Sequence, residues 1–274
     1  MSDITVINDS EQSSLVTNGL AKNGELYLKA AGSTDAGAIV VYDSGSWRTF
    51  ANEASAGAII STNLVWHFDA GNSSSYPGSG TTWTNLISSG PDAELVNGAS
   101  YSSDGGGSIA FDGSNDKVNI GSYTSPYTDA ILPDPCTVEY WVAVGGGGAT
   151  NQVLLGHISY NNGGYIPYLV GNDAYVSNGT YGVAFTHSFP RDGTFERLSF
   201  TRNGANVEGF VNGVSEGTTT VNASNDFIAS TLGAFVNASS PLSGKIAEFN
   251  VYSSVLSSTD IAANFDNTKA RYGY

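Results

Sequence analysis

The chain is poor in cations, in cysteine and in long apolar runs. Lys and Arg total 10 among 274 residues, against 25 Asp and Glu, giving a formal charge of −15 and a pI near 4.2. A nucleic-acid binder needs a basic face for phosphates, and docking on anionic lipid needs the same, so both partners are set aside. A single cysteine, Cys136, leaves no intrachain disulfide and no Cys-based zinc site. At the head of the apolar run CTVEYWVAV it reads as a buried, inert thiol. No apolar run approaches the ~20 residues of a membrane span. The opening MSDITVINDS is polar and acidic, unlike a secretory signal. The histidines, His67, His157 and His187, are widely separated and none has a second histidine at ligand spacing. Zinc and triad chemistry are therefore not expected, and no G-x-S-x-G elbow occurs.

What the chain does contain is core material: 40 % of residues are hydrophobic and 11 % aromatic, with 34 glycines and only 13 % charged residues. That composition supports an ordered fold. Its Ser, Thr, Asn, Gly and Tyr content suits an exposed, exported surface. A virion protein, made in the cytoplasm and released with the particle, reconciles this with the opening residues. The N-x-S/T triplets at Asn72, Asn178, Asn222 and Asn237 are then accidents of composition.

Residues 1–23 carry sparse apolar positions. From Gly24, the runs GELYLKA, GAIVVYD and GSWRTF read as three short strands, with a tight turn at Asp43-Ser44-Gly45. So small a unit, without disulfide or metal, is marginal alone. Its apolar positions Leu26, Leu28, Ile39, Val41, Trp47 and Phe50 accordingly call for a partner, whether the main domain, sister subunits or a larger assembly, and assembly contacts are the favoured reading. We expect an N-terminal β unit over 1–57, a linker at 58–62 and a main domain over 63–274. Within the main domain, IAFDGSNDKVNI (109–120) reads as strand, turn, strand, with apolar residues alternating on both sides of an Asp/Gly/Ser/Asn turn. A hairpin is the plain reading. Turn signals at 145–148, 161–164, 172–173, 203–204 and 212–213 separate further alternating runs, as in a β sandwich. GGGG at 145–148 is read as a loop, since no helix follows to cradle phosphate. One helix is expected, over 257–266, capped by Ser257 with Asp260 three residues on and Ile261 and Phe265 on one face.

Five pieces in order, LVWHFDAGNSSSYPGSGTTWTNL, AELVNGASYSSDGGGSIAFDGSNDKVNI, CTVEYWVAV, FERLSFTRNGANVEGFVNGV and SGKIAEFNVYSSVLSSTDIAANFDNTKARYGY, resemble a laminin-G-like jelly roll of the concanavalin A-like lectin/glucanase class. The likeness is greatest to the form found in tailed-phage virion proteins. It implies an all-β fold: a two-sheet antiparallel jelly-roll sandwich after a small N-terminal β domain, with one short C-terminal helix and residues 244–253 returning beside 64–68. It also implies a structural Ca²⁺ at Asp69 and Glu248, with no other cofactor required. Asn85 and LISSGPD depart from the relatives' pattern there. Glucanases of this class carry alternating acids on one strand; here Glu139 is followed on its face by Trp141, so no enzymatic activity is expected. For glycan binding, Tyr160, Asn161, Asn162, Tyr165, Asn172, Asp173 and Tyr175 combine aromatic faces with amide and carboxylate groups, with Tyr76 and Trp83 as further contributors. The expected role is a capsid-decoration or head-fibre subunit on the virion surface, a trimer, adhering weakly to host glycans. A tail-fibre receptor-binding protein and a depolymerase are the alternatives.

Overall fold

The computed structural model describes residues 58–120, 132–146, 151–156, 189–224, Phe227 and 229–274, together with the strand backbones within 1–57 and 166–188. The chain divides into two compact units, Met1–Ala58 and Ile59–Tyr274. In the first, strands β1 (Thr5–Ile7), β2 (Leu26–Lys29), β3 (Ala38–Asp43) and β4 (Ser46–Asn52) form one sheet in sequence order. β1 runs parallel to β2, an element additional to the three read from the sequence. Leu26 pairs with Val41 and Leu28 with Ile39. Asp43 pairs with Ser46 and Tyr42 with Trp47. Phe50 lies in β4. What these six apolar side chains contact falls outside the described residues.

The second unit is a sandwich of antiparallel sheets. Its first sheet runs β19 (Val214–Thr220), β18 (Asn206–Val211), β17 (Phe195–Asn203), β11 (Cys136–Val144), β21 (Ser243–Tyr252), β9 (Ser108–Asp112), β8 (Ser100–Ser102), with β5 (Leu64–Asp69) also on β21. The ten residues of β21 serve two neighbours on one side: 243–246 pair with β9 and 248–252 with β5. The return of the closing segment beside 64–68 is thus as expected. The second layer holds β13 (Leu155–Gly156), β20 (Thr231–Leu232), β10 (Lys117–Ile120), β7 (Ala93–Val96) and β6 (Thr82–Trp83) in that order. A further four strands follow the order β12 (Asn151–Val153), β14 (Ile166–Val170), β15 (Asp173–Ser177), β16 (Ala184–Ser188).

The 109–120 segment is not a hairpin. β9 belongs to the first sheet and β10 to the second, so the turn between them is a corner that carries the chain across the sandwich. The Asp112 N–H donates to Asp116 Oδ2 at 2.9 Å and the Ser114 N–H to Asp112 Oδ1 at 2.8 Å, while Gly113 takes the left-handed backbone the bend requires. Ile109 and Phe111 enter the core from one sheet, Val118 and Ile120 from the other. Alternation reports which side chains are buried, and it is silent on which strand each run pairs with.

Between the layers, Phe68 meets Trp83 edge-on at 5.5 Å and Tyr140 stacks on Phe249 at 5.1 Å. Each such buried aromatic contributes roughly 1.5–3 kcal/mol through the apolar area it removes from water. Strand β11 sends Val138, Tyr140, Val142 and Val144 into this core, yet Glu139, Trp141 and Ala143 between them are buried as well. Something must cover its other face. That cover is helix α1 (Ser258–Thr268), which begins at the expected cap and runs two residues further than expected.

Candidate functional site: the polar face beneath the C-terminal helix

A reciprocal capping box starts α1: Ser257 Oγ accepts from the Asp260 N–H and Asp260 Oδ2 accepts from the Ser257 N–H. Ile261 then packs with Phe210, Tyr252 and Leu256, and Phe265 packs on Trp141. The helix so placed turns Asn264 and Thr268 toward β11. Ile60, inside the expected linker, donates its N–H to Asn264 Oδ1 at 2.7 Å and so is tied to the jelly roll.

Under the helix lies a cluster of charged groups. Arg197 on β17, fully buried, reaches Glu139 Oε2 at 2.7 Å and Glu248 Oε2 at 3.4 Å. Glu139 also accepts from Ser199 Oγ at 2.9 Å and from Asn264 Nδ2 at 2.7 Å. The Trp141 indole donates to Thr268 Oγ1 at 2.9 Å. Burial alone would lower the Arg197 pKa, but Glu139 and Glu248 hold it above its ordinary value, so the guanidinium stays charged. Glu248 is pushed upward, by burial first, with Asp69 and Glu139 adding to the shift and Arg197 and Arg271 opposing it. His67, across from Asn250, is pushed down by burial, opposed by Asp69 and aided by Arg197.

The chain beyond α1 closes the face. Arg271 donates to Asp69 Oδ1 at 2.7 Å, Glu248 Oε1 at 3.4 Å, and the carbonyls of Gly105 and Gly107 at 2.7 and 2.8 Å. Tyr272 stacks on Trp141 with centroids 3.9 Å apart. The two residues that the resemblance assigns to calcium are therefore brought side by side, as a register pair of β5 and β21. Their shared partner is a guanidinium. With Arg271 between them, the pair does not fit Ca²⁺, which takes six to eight oxygens, and no cluster of three or more His, Cys, Asp or Glu suited to a metal occurs among the described residues. Glu139 is fully buried and Glu248 nearly so, each paired with arginine.

The family model for the concanavalin A-like lectin/glucanases superfamily matches residues 112–262, more than half of the chain. The chain belongs to that superfamily. No curated protein matches the sequence of this concanavalin A-like chain. Solved structures share its fold at low identity. Domain 4 of the GH43 extracellular arabinanase AbnA from Geobacillus stearothermophilus, in complex with arabinotriose, has a TM-score of 0.56 at 13% identity, over 74% of this chain and 98% of that one. A Trypanosoma rangeli sialidase gives 0.57 at 14% identity, over 79% and 35%. The receptor-binding domain of botulinum neurotoxin type G gives 0.53 at 13%, over 75% and 51%. This chain thus spans the whole arabinanase domain, about half of the neurotoxin domain and about a third of the sialidase.

Within this concanavalin A-like fold the expected glycan residues are placed unevenly. Tyr160, Asn161, Asn162, Tyr165 and Asn172 lie outside the described residues. Asp173 opens β15 opposite Val170, and Tyr175 pairs with Tyr168. Tyr76 and Trp83, expected to contribute to a glycan surface, are 3% and 0% exposed and belong to the core. Their Ser/Gly-rich surroundings read as an open loop, but strand β6 and the Phe68 contact draw Trp83 inside. Tyr101, which the sequence reading passed over, is the exposed aromatic of that neighbourhood. Its only sequence signal is its place within a short run of serines.

Proposed function

We propose that the protein is a non-enzymatic virion surface protein of a tailed phage, attached through its N-terminal unit and presenting the jelly roll for recognition of host-surface carbohydrate. The observation that carries the non-enzymatic part is the closed charge cluster: the acids nearest the relatives' catalytic strand are locked to Arg197 and Arg271 beneath α1. What remains is a superfamily scaffold whose neighbours include an arabinanase domain in complex with arabinotriose and a botulinum neurotoxin D ligand-binding domain in complex with N-acetylneuraminic acid. The division into a small four-stranded unit and a large sandwich supports an attach-and-display arrangement, a trimer in our reading.

Three measurements test it. Immunogold microscopy of purified particles with antibody against residues 59–274 is expected to label capsids; label on tails instead makes it a receptor-binding fibre, and unlabelled particles overturn the virion role. A glycan array is expected to show specific binding, and a silent array overturns recognition. Incubation with host polysaccharide is expected to release no reducing ends; release overturns the non-enzymatic reading.

A further inference from the structure

Strands β8 and β6 end their respective sheets, and residues 70–81 lead from β5 to β6. Tyr101 on β8 pairs with Ile109, which is fully buried in the core, so the two lie on the same, inward face of the sheet. Yet Tyr101 is 40% exposed, at the edge of its sheet, with no strand beyond it among the described residues. Its ring stacks on Tyr76, with centroids 5.9 Å apart and planes 19° from parallel. Tyr76 is itself anchored: it is buried, and its Oη donates to the Gly80 carbonyl at 2.7 Å. The Tyr101 ring is therefore fixed from beneath while part of its surface remains open to water. Asn72, Ser73 and Ser79, on the loop that carries Tyr76, are exposed, as is Ser100 beside Tyr101.

A supported aromatic ring beside a loop that carries exposed amide and hydroxyl groups suits a pyranose, whose C–H face packs on the ring while its hydroxyls take up polar partners. At a formal charge of −15, the chain favours an uncharged or N-acetylated sugar over a sialic or uronic acid. We infer that Tyr101, stacked on Tyr76 at the open edge of the sandwich, is the platform for a neutral pyranose. This rests on the recognition role proposed above and places that role at Tyr101, with Tyr76 as its support.

The test uses the full chain on an array of neutral, N-acetylated and sialylated oligosaccharides, followed by calorimetric titration of the strongest neutral ligand. Tyr101→Ala is expected to weaken binding by about tenfold or more and Tyr101→Phe to keep it within about threefold. Both should melt with a single cooperative transition. Photo-CIDNP on the unmodified chain, which reads exposed tyrosine rings, gives a second measure without a destabilising change. The Tyr101 signal, assigned by its loss in Tyr101→Phe, is expected to fall when the sugar is added. Full affinity in folded Tyr101→Ala, or an unchanged signal at saturation, overturns the platform and leaves the recognition role standing. A wild-type chain that binds no oligosaccharide overturns both, and preference for sialylated ligands overturns the neutral specificity.

Discussion

Replacing Arg197 by methionine keeps most of the side chain's volume and removes its charge. The guanidinium is fully buried and holds Glu139 at 2.7 Å and Glu248 at 3.4 Å, the first fully buried and the second nearly so. Without it, Glu139 retains Ser199 and Asn264 as hydrogen-bond donors, and Glu248 retains Arg271. Neither carboxylate regains water. Breaking a buried ion pair from one side costs about 3–5 kcal/mol. In a domain of this size, one kcal/mol moves the melting temperature by about 2–4 °C, so Arg197→Met should melt about 6–20 °C lower. Differential scanning calorimetry reads this directly. The companion is Glu139→Gln with Arg197→Met, which removes the stranded charge and should recover part of the loss, a coupling that a double-mutant cycle measures. A single mutant within about 1 kcal/mol of wild type, or a double mutant no better than the single, would refute the account of the cluster as a mutually neutralised set.

Three further outcomes follow from the same structure. His67 has a folded pKa below its ordinary 6.5, set by burial, so as pH falls through 6.5 the unfolded chain takes up the proton first and stability is lost; the difference between melting curves of wild type and His67→Gln should open below about pH 6.5 and vanish above it. Cys136 is buried and its thiol is pushed up to about 12, chiefly by burial, so the native chain should not react with a disulfide reagent at pH 8, whereas the chain in denaturant should titrate one thiol. Gly233 sits at φ +80°, where an added Cβ would run into the Phe111 ring, so Gly233→Ala should lose about 2–4 kcal/mol from combined backbone strain and overpacking, read as a lowered urea midpoint.

The sandwich itself was legible because strand alternation and turn residues are local signals. CTVEYWVAV, FERLSFTRN and SGKIAEFNVY appear as β11, β17 and β21 where the pattern places them. The Ser257–Asp260 box located the helix start for the same reason. The corner at 112–116 was not legible, since a hairpin and a sheet-to-sheet crossing share one alternation. The charge cluster was hidden by distance along the chain: Arg197 lies 58 residues from Glu139 and 51 from Glu248. A lone Glu beside a Trp on β11 gives no sign that β17 and a helix supply its partners. Asp69 and Glu248, which the resemblance named as calcium ligands, are register partners of β5 and β21, and the arginine between them comes from beyond α1, a stretch with no motif of its own.

The position of β21 has a consequence for how the first sheet is held together. It follows every other described strand along the chain, yet it lies in the interior of the first sheet, between β11 on one side and β5 and β9 on the other. The ladders that join β11 and its neighbours β17 to β19 with β5 and β9 all run through residues 243–252. The two sides of the first sheet are therefore joined only through this one strand, which also carries Glu248 to both arginines.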